Sequence, residues 1–209
     1  IKNATGSSRV SCYKQSKLLW KFHVGGAGAS MTTGLEGHFV AVGTLDGYLH
    51  LLSASSGRQL LPPLALESSP YLMETCAYDP PPAVLLNLGS MDQLNVLKNR
   101  LVYLLVITRS GLCSVYEMKS MRLVSARSAA PLLLNRRGME PMSQQPNADG
   151  SAPTPQIEYF RSIVSATVTL SGEPIVTMSD GYAFVFHRDM QSWMRIADDS
   201  YPSSEFFRP

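Results

Sequence analysis

Hydrophobic and polar positions along the chain follow one pattern three times. Residues 39–61 run as an apolar stretch from Phe39 to Thr44, turn at Asp46-Gly47, and continue apolar from Tyr48 to Leu52. They turn again over Ser53 to Gly57 and resume from Arg58 to Leu61. Residues 101–124 repeat this with Leu101 to Thr108, a turn at Ser110-Gly111, Leu112 to Glu117, and a last segment ending at Val124. Residues 174–196 repeat it with a turn at Asp180-Gly181 and a last segment from Trp193 to Ile196. Asp-Gly or Ser-Gly between two β-rich runs predicts a hairpin, because glycine accepts the positive φ of a tight turn. β-Branched and aromatic residues dominate and a glycine interrupts each run, so strands are expected rather than helices. The runs are nearly continuous in apolar residues, which predicts strands covered on both faces.

A weaker fourth copy lies at the front. Val10-Ser11-Cys12-Tyr13 and Lys17-Leu18-Leu19-Trp20-Lys21-Phe22 read as the outer two strands of such a unit. Meander units packed face to face are the blades of a β-propeller. The fold class expected is therefore all-β: WD40-like antiparallel meander repeats in a partial or small propeller, with short helical segments. Four units are few for a closed ring, so strands such as Leu101–Ile107 would stay uncovered and another subunit is expected to shield the ends.

Two stretches break the rhythm. Asp79-Pro80-Pro81-Pro82 leads into Ala83–Lys98, which fits a short helix or an extended strand. Residues 135–156 hold Pro141, Pro146, Pro153 and Pro155 among Ser, Gln, Asn, Asp and Gly, a composition that reads as a mobile insertion. The β pattern resumes at Ile163–Leu170, and Ala129–Leu134 fits one helical turn. Residues 1–209 are thus expected to form a single domain.

Candidate chemistry is sparse. Gly25-Gly26-Ala27-Gly28-Ala29-Ser30 lacks the third glycine of GxGxxG and the Lys-Ser/Thr of a phosphate loop, and reads as a loop between units. His23, His38, His50 and His187 show no metal-ligand spacing, and GxSxG is absent. Asp198-Asp199 reads as a solvated turn. No catalytic, cofactor-binding or metal site is expected, and the chain is not expected to be an enzyme.

Composition sharpens this only slightly. Of the 209 residues 44% are hydrophobic and only 16% charged, against a usual charged share of about 25%. That excludes a disordered chain. A net charge of +2, with Arg136-Arg137 as an isolated basic pair, predicts neither direct nucleic-acid binding nor membrane binding. Cys12, Cys76 and Cys113 form no CxxC pair and fit a reducing compartment. Asn3-Ala4-Thr5 is a sequon without a disulfide framework to support secretion. The chain starts at Ile1 and reads as a fragment.

Five segments share a resemblance. Cys12-Tyr13-Lys14 with Leu19-Trp20, Val42–Gly47, Gly57–Pro63, Leu112–Glu117 and Met178–Trp193 are similar, in order, to the C-terminal domain of the HIRA/Hir histone-regulator family. The resemblance runs from about residue 9 to about residue 199. It implies a subunit of a nuclear complex that deposits histone H3–H4 independently of replication and represses histone genes. The family's N-terminal WD40 propeller and chaperone-binding motif have no counterpart here, so their activities are not expected of this fragment.

The resemblance also implies that the domain self-associates, as a trimer, and docks a large helical-repeat subunit, with histones reached only through the complex. The family's aromatic–acidic pair at the self-association surface corresponds to Tyr116-Glu117, where Tyr and Glu stand in place of Trp and Asp. Tyr116 equally fits the core of its own unit. Trp193 and Trp20 fit either packing between units or contact with a partner. The competing reading is a generic propeller that binds a peptide or small ligand.

Overall fold

The computed structural model describes residues 6–34, 37–78, 100–133 and 161–197. The expectations for Ala83–Lys98, 135–156 and Asp198-Asp199 lie outside them. A hairpin of β1 (Ser8–Lys14) and β2 (Lys17–Val24) is followed by three four-stranded sheets. The first runs in order through β3 (Gly28–Thr33), β4 (Phe39–Thr44), β5 (Tyr48–Ser53) and β6 (Leu64–Ala65). The second runs through β7 (Pro70–Tyr78), β8 (Leu101–Thr108), β9 (Leu112–Glu117) and β10 (Arg122–Ser128). The one-turn helix α1 (Ala130–Leu133) leads toward the third: β11 (Ile163–Val168), β12 (Pro174–Met178), β13 (Ala183–His187) and β14 (Ser192–Ala197). Each strand pairs antiparallel with the next, so every sheet is a meander.

A four-residue sequence explains the hairpins. Thr44-Leu45-Asp46-Gly47, Thr108-Arg109-Ser110-Gly111 and Thr169-Leu170-Ser171-Gly172 each close with the glycine N–H donating to the threonine carbonyl, at 2.9–3.1 Å. Met178-Ser179-Asp180-Gly181 closes the same way at 3.0 Å. All four glycines have φ between +83° and +87°, a region costly for any residue with a Cβ. Each threonine hydroxyl then accepts the N–H of the residue after the glycine: Tyr48 at 3.0 Å, Leu112 at 3.1 Å and Glu173 at 2.9 Å. Thr44 and Thr108 are buried, so this bond satisfies a hydroxyl that water cannot reach.

Alternation along each strand sends successive side chains to opposite faces. From β4, Val40 and Val42 pack with Trp20, Val24 and Leu52 against the β1–β2 hairpin, while Phe39 and Ala41 join Leu49, Leu51, Met73, Leu104 and Val106. From β8, Leu104 and Val106 face that second cluster, while Tyr103, Leu105 and Ile107 join Cys113, Val115, Val168, Val176 and Met178. The sheets therefore stack in sequence order with an apolar layer between each pair. Their first strands come together: Thr75 donates to the Thr33 carbonyl at 2.9 Å, and Cys76 Sγ lies 3.3 Å from Thr167 Oγ1.

Three expectations need correction. The stretch Leu101–Ile107 is not an uncovered edge: as β8 it bonds to β7 and β9, and Leu104, Leu105 and Val106 are fully buried. Gly28 to Ser30 is not loop but the start of β3, an inner strand whose alternation is too polar to stand out. The third strand of the first unit is not Arg58–Leu61, which contributes one bridge between Leu52 and Gln59. It is the two-residue β6, because Pro62 and Pro63 offer no N–H to a ladder.

Close approach and charge fix how the sheets sit. Gly43 on β4 faces the Pro70 ring at the start of β7, and a Cβ there would collide with it. Between the second and third sheets the Glu173 carboxylate is buried, with Arg188 Nε at 2.5 Å and the Ser125 hydroxyl donating from β10 at 3.2 Å. The Tyr103 hydroxyl donates to the Leu170 carbonyl at 3.1 Å across the same seam.

Gly43→Ala should overpack a rigid contact and cost about 1–3 kcal/mol in urea unfolding, and an unchanged midpoint would show that the two sheets can part there freely. Arg188→Ala should cost about 2 kcal/mol by leaving a buried carboxylate unpaired. Adding Glu173→Gln should recover most of that loss. The double-mutant cycle reads the coupling directly, and additive effects would count against the pair.

Candidate functional site

On β9, Ser114 and Tyr116 point toward the first sheet, while Cys113, Val115 and Glu117 point toward the third. Tyr116 packs half-buried against the cluster formed by Leu104, Val106 and Met118, with Leu104 opposite it on β8 and Leu123 opposite it on β10. Burial pushes its phenol above the usual range, and a hydrogen bond with Ser114 opposes the shift. Glu117 sits opposite Tyr103 and Arg122 and accepts the Ser120 hydroxyl at 2.7 Å. The Tyr103 phenol is also pushed up, by burial first and then by the Glu117 charge, against an opposing pull from Arg188.

Tyr116 and Glu117 are therefore neighbours in sequence but on opposite faces of their sheet. They can be engaged together only from the strand end. At that end the next strand and its turn present two exposed apolar side chains, Leu123 at 48% and Met121 at 39%. Tyr116, Leu123 and Met121 make an apolar patch that the sheet's own packing leaves partly open.

The two tryptophans lie at sheet-to-sheet seams. Trp20 on β2 is buried, its Nε1–H donating to the Ala54 carbonyl beyond β5 at 2.8 Å. Gly57 lies against its ring, where a Cβ would fall 2.5 Å from Cδ2. Trp193 on β14 donates Nε1–H to the Ser128 carbonyl at 2.8 Å and meets Phe186 edge-on at 5.5 Å. Arg127 covers the other ring, 4.5 Å above the Phe186 centroid. Each indole spends its polar tip on the adjacent sheet.

Other candidate chemistry is confined to single groups. Among the described residues no group of three or more His, Cys, Asp or Glu could hold a metal ion. No helix there is long and apolar enough to cross a membrane. Burial pushes the Cys113 thiol up to about 12, which makes it a packing group. His50 lies beside Phe22, at 6.2 Å between rings, and burial lowers its pKa against the pull of Asp46. The Gly25-Gly26 turn is pressed against that same Asp46: a Cβ on Gly26 would lie 2.6 Å from the carboxylate. A phosphate would meet negative charge there. Reasoning from sequence missed the Glu173–Arg188 pair and the threonine of the turn motif, although the Thr-x-Asp/Ser-Gly spacing was there to find.

Comparison with known proteins places this architecture. The family model Hira, TUP1-like enhancer of split, matches residues 79–208. The HIR2 protein of Debaryomyces hansenii is 25% identical over 198 residues, covering 94% of this chain and 16% of that protein. The histone transcription regulator slm9 of Schizosaccharomyces pombe is 26% identical over 161 residues, covering 77% of this chain and 15% of that protein. This chain thus spans about one-sixth of the length of these curated relatives. The crystal structure of HIRA(644-1017) superimposes with a TM-score of 0.53 at 18% identity, over 95% of this chain and 48% of that one. With more than half of its residues matched by the family model, the chain belongs to the Hira family.

Proposed function

We propose that this domain is a non-catalytic assembly module of a replication-independent histone H3–H4 chaperone complex, acting in the nucleus in nucleosome assembly and transcriptional regulation. In this reading the stacked meanders are blades of a partial β-propeller, completed or covered by further polypeptide. The domain self-associates as a trimer and docks the large helical-repeat subunit of the complex, while histones are reached through that complex. Family membership supports the setting. The observation that carries the self-association is the open apolar patch of Tyr116, Leu123 and Met121, with Glu117 at the same strand end.

Physically, a half-buried aromatic beside exposed aliphatic side chains suits a contact hot spot, and an acidic neighbour supplies a partner for a cation across the interface. The alternative, a propeller that binds a peptide or ligand, is favoured by a different feature, a cleft at Arg109.

In the full-length protein, Leu123→Asp should shift sedimentation from the oligomer to the monomer while leaving the thermal midpoint nearly unchanged. Tyr116→Ala should cost about 2 kcal/mol or more of association, and Glu117→Ala less. A melting temperature lowered by Tyr116→Ala with the oligomer intact in all three variants would assign the tyrosine to the core alone. Wild-type protein that stays monomeric at tens of micromolar would end the proposal.

A further inference from the structure

At the seam between the second and third sheets, on the end that carries the Thr108–Leu112 turn, the strands part to leave a cleft of about 240 Å³. Its floor is Ile107 and Ile163, both buried, and its walls are Leu133 and the exposed ring of Tyr71. Two arginines, Arg109 and Arg161, stand at its rim. The second is already engaged: Arg161 Nε lies 2.6 Å from Asp180, and its guanidinium sits 5.2 Å above the Tyr182 ring. The first is not. Arg109 is anchored by its backbone N–H on the Ser69 carbonyl at 2.9 Å, but among the described residues its side chain makes no hydrogen bond or ion pair.

Nor does the fold require an arginine there. Arg109 fills the second position of the Thr-x-Asp/Ser-Gly turn, where the equivalent residues are Leu45 and Leu170, both more than half exposed. The turn closes through its backbone, the Thr108 hydroxyl and the Ser110 hydroxyl, which bonds Thr108, Ser68 and Glu67, and none of these bonds involves the Arg109 side chain. A guanidinium in a position that the turn leaves free, over a cleft with an aliphatic floor, is placed to meet something from outside.

We propose that this cleft docks an acidic peptide segment that places one branched aliphatic side chain between Ile107 and Ile163 and a neighbouring carboxylate on Arg109. The volume is small for a cofactor or a drug-sized ligand and suits a single side chain. Guanidinium and carboxylate match in a two-point geometry that a neutral amide does not reproduce. Asp180 neutralises Arg161, and the nearby Glu67 carboxylate is engaged by the Ser110 hydroxyl rather than by Arg109, so the incoming acid belongs on the Arg109 side of the aliphatic residue. The site needs no self-association and stands apart from the Tyr116 patch.

The test is fluorescence anisotropy of the full-length protein with a labelled Ser-Gly-Glu-Leu-Asp-Gly-Ser peptide. Saturable binding is expected, with Kd on the order of 100 µM. Binding should weaken at least about tenfold with Arg109→Glu, and equally when Asn and Gln replace the acids or Ser replaces the leucine. Ser162→Trp fills the cleft from its exposed rim without changing charge and should have the same effect. Arg58→Glu, an equal charge change at an exposed site elsewhere, should leave binding intact. Absence of saturable binding at millimolar protein, or equal loss with Arg58→Glu, would overturn the proposal. So would full retention of binding in Ser162→Trp.

Discussion

Burial of both faces of the second strand in the first two sheets, β4 and β8, is the constraint on which the rest of this structure depends. A sheet covered on one side only can place polar groups on the other, but β4 and β8 have no such side. Val40 and Val42 face one neighbour and Phe39 and Ala41 the next, while Leu104 and Val106 oppose Tyr103, Leu105 and Ile107. Each apolar layer forms only when the next sheet arrives, so stability accrues between sheets more than within them. This leaves little room for polar side chains in mid-strand, where Ser114 on β9 and Ser125 on β10 are small and hydrogen-bonded. Chemistry is displaced to strand ends and turns, which is where Arg109, Glu117 and Asp46 are found.

Apolar layers alone would let the sheets slide, since burial has no direction. Direction comes from a few contacts at the seams. Gly43 admits the Pro70 ring at one position along β4, and Gly57 admits Trp20 at one position on the hairpin. Each tryptophan ties its N–H to a carbonyl of the adjacent sheet, and the Glu173 carboxylate is held by Arg188 from its own sheet and Ser125 from the one before. The ion pair, whose arginine is half exposed, adds little net stability by itself, but an alternative docking would part the buried Glu173 carboxylate from Ser125.

The hairpins were legible because their signal is local: a glycine after Asp or Ser, between β-rich runs, dictates the turn whatever surrounds it. The front hairpin was legible from its two apolar runs and the polar turn between them, although Gln15 and Ser16 take positive φ there without a glycine. Of the innermost strands, β11 was read within Ile163–Leu170, but the other two were not. Gly28–Thr33 and Pro70–Tyr78 lie along the line where three sheets meet, and carry threonine, serine and glutamate where a buried strand would carry valine. The patch beside Tyr116 was hidden for a related reason. Leu123 faces Tyr116 only because of the β9–β10 register, which shifts between Leu123 and Ser125, and a bulge of that kind leaves no mark in sequence periodicity. Tyr116-Glu117 itself was singled out by family resemblance, and that the pair straddles its sheet follows from alternation once Leu112–Glu117 is a strand.

That straddling sets how partners could share the domain. Strand β9 begins at Leu112, immediately after the Arg109 turn, and ends at Glu117. At roughly 3.3 Å per residue the cleft and the Tyr116 patch are thus about 20 Å apart, at opposite ends of the same strand. A partner on one end neither covers nor competes for the other. The strand between them is buried and hydrogen-bonded on both sides, too rigid to relay a shape change from end to end. The two surfaces should therefore act independently: self-association at the Tyr116 end would multiply the copies of the Arg109 cleft in one assembly without altering the affinity of each. A partner carrying several acidic–aliphatic segments would then gain from avidity what a single shallow cleft cannot supply.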